Sequence, residues 1–226
     1  MKKIIIFISF ICITTASKGQ INEIGFFVGG SNYIGDIGSE YFINPNNIMG
    51  GLIYKWNINP RMSFRGSFTY ARISANDAKS TNTGRQMRGL KFSNTITEIA
   101  VGMEYNYFEF NIDDVRKRRT PYLLFEIAAF GYSTATQETA PLEYDYTTKI
   151  GLSIPFGIGY KTKLINDFAF AIEVGARYTF TDEIDYNNPD INSLTFGNPN
   201  NNDWYMFTSI SFLYTFGRPP CFATPY

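Results

Sequence analysis

The sequence predicts an all-β protein, an eight-stranded antiparallel transmembrane β-barrel of the bacterial outer membrane. The first observation is strict alternation of side chains in two adjacent runs, at 149–160 and 168–180. Period-two alternation indicates β-strands, because successive side chains leave a strand on opposite sides. The second is that the face opposite the apolar one is mostly Gly, Ala and Ser, which fits the narrow interior of a small barrel. The third is the abundance of aromatic residues, 21 Phe and 16 Tyr, which outer-membrane barrels place in girdles.

Residues 1–19 are predicted to be a signal peptide. A basic start at Met1–Lys3 is followed by the apolar stretch Ile4–Ile13, which is too short to span a bilayer. Small residues in Ser17–Gly19 match the positions that a signal peptidase reads, so the mature chain is expected to begin near Gln20. An N-terminal anchor helix is the alternative.

The charge balance argues against nucleic acid as a partner. The sequence has 20 basic and 20 acidic residues, and loss of Lys2, Lys3 and Lys18 with the signal peptide leaves a net charge of −3. Nucleic-acid-binding domains are instead strongly basic. No run after the signal peptide reaches the roughly 18 apolar residues of a transmembrane helix. We expect one barrel domain over 20–217 and a periplasmic tail over 218–226.

Eight segments of the mature chain are predicted to be strands. In chain order they are Asn22–Gly30, Ile48–Ile58, Arg61–Ile73, Thr95–Phe110, Pro121–Tyr132, Lys149–Tyr160, Phe168–Phe180 and Trp204–Phe216.

The first three strands each present an apolar face to lipid. The outward residues are Ile24, Phe26 and Val28 in the first, Ile48, Leu52, Tyr54 and Trp56 in the second, and Met62, Phe64, Phe68 and Tyr70 in the third. Phe27 does not fit the pattern of the first strand, because it lies on the face of Glu23 and Gly25.

The later strands alternate in the same way. Their outward residues include Ile99, Val101 and Met103 in the fourth, Leu123, Phe125 and Ile127 in the fifth, Ile154, Phe156 and Ile158 in the sixth, Phe170, Ile172 and Val174 in the seventh, and Ile210, Phe212 and Tyr214 in the eighth. Pro155 cannot donate to a strand ladder, so we expect a local bulge in the sixth strand.

The connections alternate between long and short. The long loops are predicted at Ser31–Asn47, Ser74–Lys91, Ser133–Thr148 and Thr181–Asp203, and the short connections include the turn at Asn57–Pro60 and the charged segment Asn111–Thr120. Outer-membrane barrels have short periplasmic turns and longer extracellular loops. Both chain termini are therefore expected in the periplasm.

Several charged residues fall on the inward faces of these strands. They are Lys55, Arg65, Glu98, Glu104, Glu126, Glu173 and Arg177. Buried charges are stable only when they are paired, so we expect salt bridges across the lumen. A catalytic carboxylate pair is the alternative.

The composition disfavours enzymatic chemistry. The chain has no histidine, which excludes Ser-His-Asp and Cys-His catalysis and histidine-based metal sites. The acidic residues Asp182, Glu183, Asp185 and Asp190 lack the spacing of an EF-hand. We expect no catalytic residues, no cofactor and no metal.

Two segments are candidate partner-binding sites. One is the basic run Arg116, Lys117, Arg118 and Arg119 in a predicted periplasmic turn, which would contact a partner or lipid headgroups unless it is a solvated charge run. The other is the tail, with Arg218, Pro219, Pro220, Cys221 and Phe222. Cys221 would be the single cysteine of the mature chain, which suggests an intermolecular disulfide or a free thiol. An inert, frayed tail is the alternative.

The chain resembles the PorG family, small outer-membrane barrels of the bacterial type IX secretion system. The resemblance rests on the opening Glu23–Gly38, above all the segment Gly30–Asp36 (GSNYIGD), and on the Pro-Cys tail. It implies a non-catalytic part in protein transport, with the barrel holding a periplasmic ring of a lipoprotein and its partner, of PorK and PorN type, to the outer membrane. The partners are implied by the resemblance alone.

Two other functions stay open. A small pore or surface-binding barrel would act through its extracellular loops, above all the Asn-rich loop Thr181–Asp203. The narrow lumen of an eight-stranded barrel leaves little room for conduction. A lipid-active enzyme is disfavoured because no histidine base is present.

Overall fold

Eight antiparallel strands close into a barrel in the computed structural model of this protein, which describes residues 21–110, 118–140, 143–188, 190–196 and 202–217. The strands follow one another in chain order, and the last pairs with the first, from Asn22 opposite Phe216 to Ile34 opposite Trp204. Their bounds are β1 Ile21–Ile34, β2 Asn47–Asn59, β3 Met62–Asn76, β4 Lys91–Asn106, β5 Arg119–Ala140, β6 Glu143–Ile165, β7 Phe168–Thr179 and β8 Trp204–Phe216. The predicted fold is confirmed. The predicted signal peptide and tail lie outside the described residues.

The third predicted loop, Ser133–Thr148, was wrong. These residues extend β5 and β6 into a long hairpin, in which Ser133 lies opposite Thr148 and Thr134 opposite Thr147. The hairpin continues past two register shifts to Ala140 opposite Glu143. Most side chains of this extension are exposed on both faces. The extension therefore carries no apolar and polar alternation, and the sequence pattern could not reveal it.

The predicted fourth strand ended too late. β4 stops at Asn106, and the chain then turns beneath the barrel, where the amide of Phe110 donates to the carbonyl of Pro60 at 3.0 Å. The ring of Phe110 is buried, and the Nζ atom of Lys161 lies 4.7 Å from its centre. Phe110 therefore helps to cover the short-turn end of the lumen, the end that carries the turns β2–β3, β4–β5 and β6–β7.

The expected bulge at Pro155 was also wrong. Phe125 pairs with Phe156 and Ala128 with Ser153, so β5 and β6 keep one register on both sides of the proline. The pairing lapses between these two positions, where Glu126 and Ile127 face Pro155 and its neighbour. On the other side Pro155 pairs with Arg177 of β7. The missing amide of Pro155 thus interrupts the ladder with β5 only, and no extra residue is inserted, so the strand has no bulge there.

The two faces of the wall have opposite character, as the alternation predicted. The outward side chains are large, apolar and solvent-accessible: Ile24, Leu52, Phe68, Ile99, Val101, Leu123, Ile127, Ile158 and Ile210 are examples. Aromatic residues gather towards both ends, with Trp56, Phe64, Tyr105, Phe168, Tyr214 and Phe216 near the short turns and Tyr70, Tyr178, Phe180 and Trp204 near the long loops. An apolar belt between aromatic girdles is the exterior of a transmembrane barrel.

The interior has two layers. Towards the long loops it is mainly apolar, with Tyr33, Ile73, Ile96, Phe130, Tyr132, Tyr205 and Phe207 in one buried cluster. Phe27, the apolar residue on the inward face of the first strand, belongs to this cluster. Towards the short turns the inward side chains are largely charged or polar, and they form the network described below.

The loops fold over the barrel mouth. Between β3 and β4 the chain forms a short helix, α1, at Thr83–Arg88, whose first amides donate to the side chain of Asn82. The helix ends at Gly89, whose φ of 69° is a left-handed conformation that glycine adopts without strain. Arg85 of this helix donates to the carbonyls of Gly35 and Gly38, each at 3.0 Å, so it holds the first loop in place. No helix within the described ranges is long and apolar enough to cross a membrane.

Candidate functional site

Glu104 is the centre of an ion network in the lower lumen. Its carboxylate lies 2.5 Å from Nζ of Lys55 and 2.7 Å from Nζ of Lys161. The Nη1 atom of Arg65 is 3.8 Å away. All four side chains are buried. They come from β2, β3, β4 and β6, so the network joins both sides of the barrel.

Arg65 connects this centre to the opposite wall. Its guanidinium contacts both carboxylate oxygens of Glu173, at 2.5 and 3.2 Å, and this bidentate geometry is the strongest that an Arg–carboxylate pair adopts. The Nε atom lies 3.4 Å from Oε1 of Glu126. Tyr122 donates to the same Glu173 at 2.8 Å. Arg65 is therefore shared by three buried carboxylates.

A second group lies higher in the lumen. Tyr205 donates to Oε2 of Glu98 at 2.5 Å, and the Nε atom of Arg177 is 3.6 Å from Oε1 of the same residue. The guanidinium of Arg177 also lies 4.2 Å from the ring centre of Phe207. This group joins the polar layer to the apolar layer above it.

The prediction of lumen salt bridges is confirmed for the seven inward charges. The structure adds two buried charges to this set: Lys161, which was not predicted, and Glu23, which the alternation already placed on the inward face of the first strand. Lys161 follows the outward Tyr160, so extending the alternation by one residue would have placed it inside. Glu23 accepts a hydrogen bond from Asn57 at 2.8 Å. Glu126 is the least satisfied of the buried acids, because neither of its oxygens accepts a hydrogen bond within the described chain.

These contacts cross the lumen from wall to wall. The charged layer spans the barrel. Phe110 covers it from below, and the buried rings of Phe130, Tyr132 and Phe207 lie towards the long loops. Taking charges out of water costs several kcal/mol per ion, a cost that only close pairing offsets. The network therefore holds the walls together, and its carboxylates are buried.

The long loop between β7 and β8 closes the mouth at the opposite end. Tyr33 donates to Asp185 at 2.9 Å and also contacts Asp203, and the amide of Ile184 donates to Asp203 at 3.1 Å. The side chain of Asn94 donates to the carbonyl of Ile184 at 2.8 Å. Ile184 is fully buried, so the loop inserts an apolar side chain into the lumen mouth. We call Tyr33, Asp182, Asp185 and Asp203 the acidic cap.

Burial governs the ionisation of this acidic cap. Loss of hydration raises the pKa of Asp182 to about 7, and the nearby charges of Asp185 and Asp36 contribute to that rise. Loss of hydration likewise raises the pKa of Asp185 to about 6. The pKa of Asp203 is raised by burial and by Asp185. The Tyr33 hydroxyl has one proton and can donate to only one of Asp185 and Asp203 at a time. If one of these carboxyls is protonated, it supplies the second hydrogen-bond donor.

The acidic cap is expected to loosen as the pH rises. An acid whose pKa is higher in the folded state stabilises the fold fully below its unfolded pKa, near 4, and this contribution is lost as the pH rises through the folded value. For Asp185 and Asp182 the window runs from about pH 4 to pH 6–7.

Hydrogen-exchange protection at the amide of Ile184, corrected for the intrinsic rate, should fall across this window. Asp182→Asn should flatten part of the fall, whereas Asp190→Asn in the same loop should not. A pH-independent protection factor would contradict the assignment.

The predicted partner-binding residues are only partly described. Arg118 and Arg119 lie at the short-turn end, where β5 begins, and the amide of Lys163 donates to the carbonyl of Arg118 at 2.9 Å. Arg116 and Lys117 lie outside the described residues, as do Arg218, Pro219, Pro220, Cys221 and Phe222. Within the described ranges no group of acidic or sulfur side chains is suited to hold a metal ion.

Comparison with known proteins identifies the family. Residues 2–225 match a family described as a domain of unknown function, DUF6089. The chain belongs to the DUF6089 family. No curated protein matches this DUF6089 chain.

Several solved structures share its architecture at low identity. A major outer membrane protein from Thermus thermophilus is 12% identical, with 87% of this chain and 99% of that chain covered and a TM-score of 0.49. Ail of Yersinia pestis, in complex with the heparin analogue sucrose octasulfate, is 13% identical, with 87% and 99% covered and a TM-score of 0.48. The N-terminal β-barrel domain of Pseudomonas aeruginosa OprF is 8% identical, with 88% and 98% covered and a TM-score of 0.46. At these identities and scores the similarities carry no information on function.

Proposed function

We propose that this protein is a non-catalytic outer-membrane barrel of a type IX-like secretion machine, which docks a periplasmic lipoprotein ring to the outer membrane. The observation that carries the proposal is the filled lumen. Buried ion pairs cross the barrel from wall to wall. Phe110 covers the short-turn end, and the acidic cap covers the long-loop end. We infer that a barrel whose lumen is crossed by ion pairs and covered at its ends acts through its surfaces.

The exterior supports residence in a membrane. Apolar side chains on every strand are left accessible, for example Ile48 at 78%, Ile99 at 61% and Ile150 at 80% of their full exposure. Soluble monomers rarely expose apolar patches larger than a few hundred Å². Spanning β-strands must close into a barrel, because unpaired backbone groups are costly in lipid. These features support the proposal that outer-membrane lipid is one partner of the chain.

Described residues next to both candidate docking segments lie at one end of the barrel. The described part of β8 finishes at the short-turn end, with Gly217 in a left-handed conformation at φ 111°, and the tail starts there. Arg118 and Arg119 lie at the same end. We propose that this end faces the periplasm and that the basic turn and the tail contact the ring together. The partners of PorK and PorN type rest on the family resemblance.

Deleting residues 218–226 is expected to release the ring while the barrel stays in the membrane. The deletion removes the proposed docking groups and leaves every described residue of β8 in place. Affinity purification of the tagged barrel from native outer membranes should recover the ring proteins with the full-length chain and not with the deletion. Retention of the ring by the deletion variant would contradict the docking role.

A disulfide through Cys221 is a separate part of the proposal. Native outer membranes run on a non-reducing gel should show a heavier band that collapses with reductant and is absent from Cys221→Ser. A monomer under both conditions would remove the disulfide and leave docking to non-covalent contacts.

A surface-binding barrel is the second candidate, and one observation favours it. The first long loop exposes three consecutive apolar side chains, Tyr41, Phe42 and Ile43, at 57–65% of their full exposure. The loop backbone is held by Asn32, which donates to the carbonyl of Phe42 at 2.9 Å. Replacing all three residues by Ser would abolish binding of an external ligand without affecting recovery of a periplasmic ring, so the two functions are separable.

A further inference from the structure

A shallow apolar groove runs along the outer wall over β4 to β7. Its part nearer the short turns has a volume of about 550 Å³ and includes Tyr105, Pro121, Leu123, Ile158, Tyr160 and Val174 in its lining. The neighbouring part, of about 650 Å³, continues past Phe125 and Ala176. The two parts share Tyr105, Leu123, Ile158 and Val174, so they form one continuous groove.

The groove arises from small outward side chains between larger ones. Val174 and Ala176 of β7 lie opposite Ile158 and Phe156 of β6, and they leave a depression beside these longer side chains. Ligand sites in proteins commonly have volumes of about 300–1,000 Å³ and mostly apolar linings. The size and the lining suit a hydrocarbon chain that lies along the wall.

A cation stands at the short-turn end of the groove. Arg119 is exposed on the outward face of β5, two residues before Pro121, which lines the groove. Two strand residues span about 6–7 Å, so the guanidinium is within reach of the groove end. Because Arg119 is exposed, its guanidinium can contact an anionic group at the membrane interface.

We propose that this groove binds an anionic phospholipid, with one acyl chain along the groove and the phosphate at Arg119. Arginine presents a planar fork of donors that matches phosphate, and it is less strongly hydrated than lysine. Tyr105, Tyr107 and Tyr160 at the same end are the amphipathic side chains that gather at headgroup level. The site rests on the proposed residence in the outer membrane, and it selects a lipid of the leaflet on the short-turn side.

The test compares phosphatidylglycerol with phosphatidylcholine of the same acyl chains. The full-length barrel is folded into mixed micelles and titrated with each lipid, and bound lipid is counted by native mass spectrometry. Arg119→Gln should weaken phosphatidylglycerol binding about fivefold, the equivalent of the roughly 1 kcal/mol that a basic residue gains near an anionic surface, and should leave phosphatidylcholine unchanged. Val174→Trp fills the groove and should weaken both lipids.

Matched controls separate the site from general effects. Arg72→Gln removes another exposed arginine from the wall, and Val28→Trp enlarges an outward valine of β1, outside the groove. Both controls should bind phosphatidylglycerol as the wild type does. Equal binding of the two lipids by the wild type, or equal losses in Arg72→Gln and Arg119→Gln, would overturn the site alone. Failure of the wild type to fold into micelles or bilayers would instead overturn the membrane residence on which the site rests.

Discussion

Arg65→Met is expected to destabilise the barrel by about 3–5 kcal/mol, the usual cost of removing one partner from a buried ion pair. Methionine keeps the length and much of the volume of the side chain, so packing changes little. The charge is what is lost. Glu173 loses a bidentate partner at 2.5 and 3.2 Å, and Glu126 loses the cation at 3.4 Å, which is its closest described ion pair. Two carboxylates then remain in the lumen with little compensation.

The measurement is the free energy of unfolding in urea, with the barrel folded into vesicles or micelles at neutral pH. Arg72→Met is the matched control, because Arg72 lies on the same strand with its side chain outward and exposed. Exposed substitutions of this kind usually change stability by less than about 0.5 kcal/mol. Equal effects of the two substitutions would show that the lumen charges do not stabilise the fold.

A second substitution tests whether the loss arises from the pair. Adding Glu173→Gln to Arg65→Met removes the stranded carboxylate charge, so the double variant should recover part of the lost stability. Contacting residues commonly show coupling of about 0.5–3 kcal/mol in such a cycle. Strict additivity of the two substitutions would contradict a direct interaction between them.

Glu104→Gln is expected to destabilise the barrel by a similar amount, about 3–5 kcal/mol, because it removes the anion that several buried cations share. Glu104 is the shared anion of Lys55 at 2.5 Å, Lys161 at 2.7 Å and Arg65 at 3.8 Å. A neutral amide in its place leaves three cations close together in a space without water access. Both ammonium groups lose their charge-assisted contacts, while the shape of the side chain is kept.

Urea unfolding again measures this effect, and Glu109→Gln provides the control. Glu109 forms an ion pair with Arg61 at 3.5 Å, but both side chains are largely exposed. Exposed pairs contribute about 0–1 kcal/mol, so the control should remain near wild-type stability. If Glu104→Gln were no more harmful than Glu109→Gln, the described lumen network would be wrong.

The faces of the strands could be predicted because a strand has only two sides. Because Tyr54 and Trp56 point outward, Lys55 between them must point inward. In the same way, Arg65 must point inward because the preceding residue, Phe64, points outward. Burial of a charge then requires a partner. The inward charges and their pairing follow from these two rules, whereas the choice of partner does not. Arg65 and Glu173 are 108 residues apart, and only the closed barrel brings them together.

The errors occur where the alternation carries no information. The extension of β5 and β6 beyond Ser133 is polar on both faces, so it could not be distinguished from a loop. The alternation does not mark where the fourth strand ends: Phe110 was predicted to close that strand, but β4 stops at Asn106 and Phe110 packs under the lumen. In both cases long-range contacts decide the structure. The β5–β6 extension is formed by cross-strand pairing, and Phe110 is held by its contacts at the end of the barrel.

The acidic cap could not be predicted from spacing at all. Tyr33 meets Asp185 and Asp203 across sequence separations of 152 and 170 residues. No pattern in the chain joins a residue at the end of the first strand to the last loop. Only the closure of β8 onto β1 brings these positions to the same end of the barrel.

Single-channel recording tests the central claim, that this barrel is a sealed structural component and not a pore. The wild-type protein, inserted into a planar bilayer and shown to be folded, should give no steady current at either polarity. We predict a sealed lumen because the ion pairs of Arg65 and Glu104 cross it, Phe110 lies at its short-turn end and the acidic cap lies at the other end. A stable conductance that scales with salt concentration would contradict the sealed lumen and, with it, the inference that the protein acts through its surfaces.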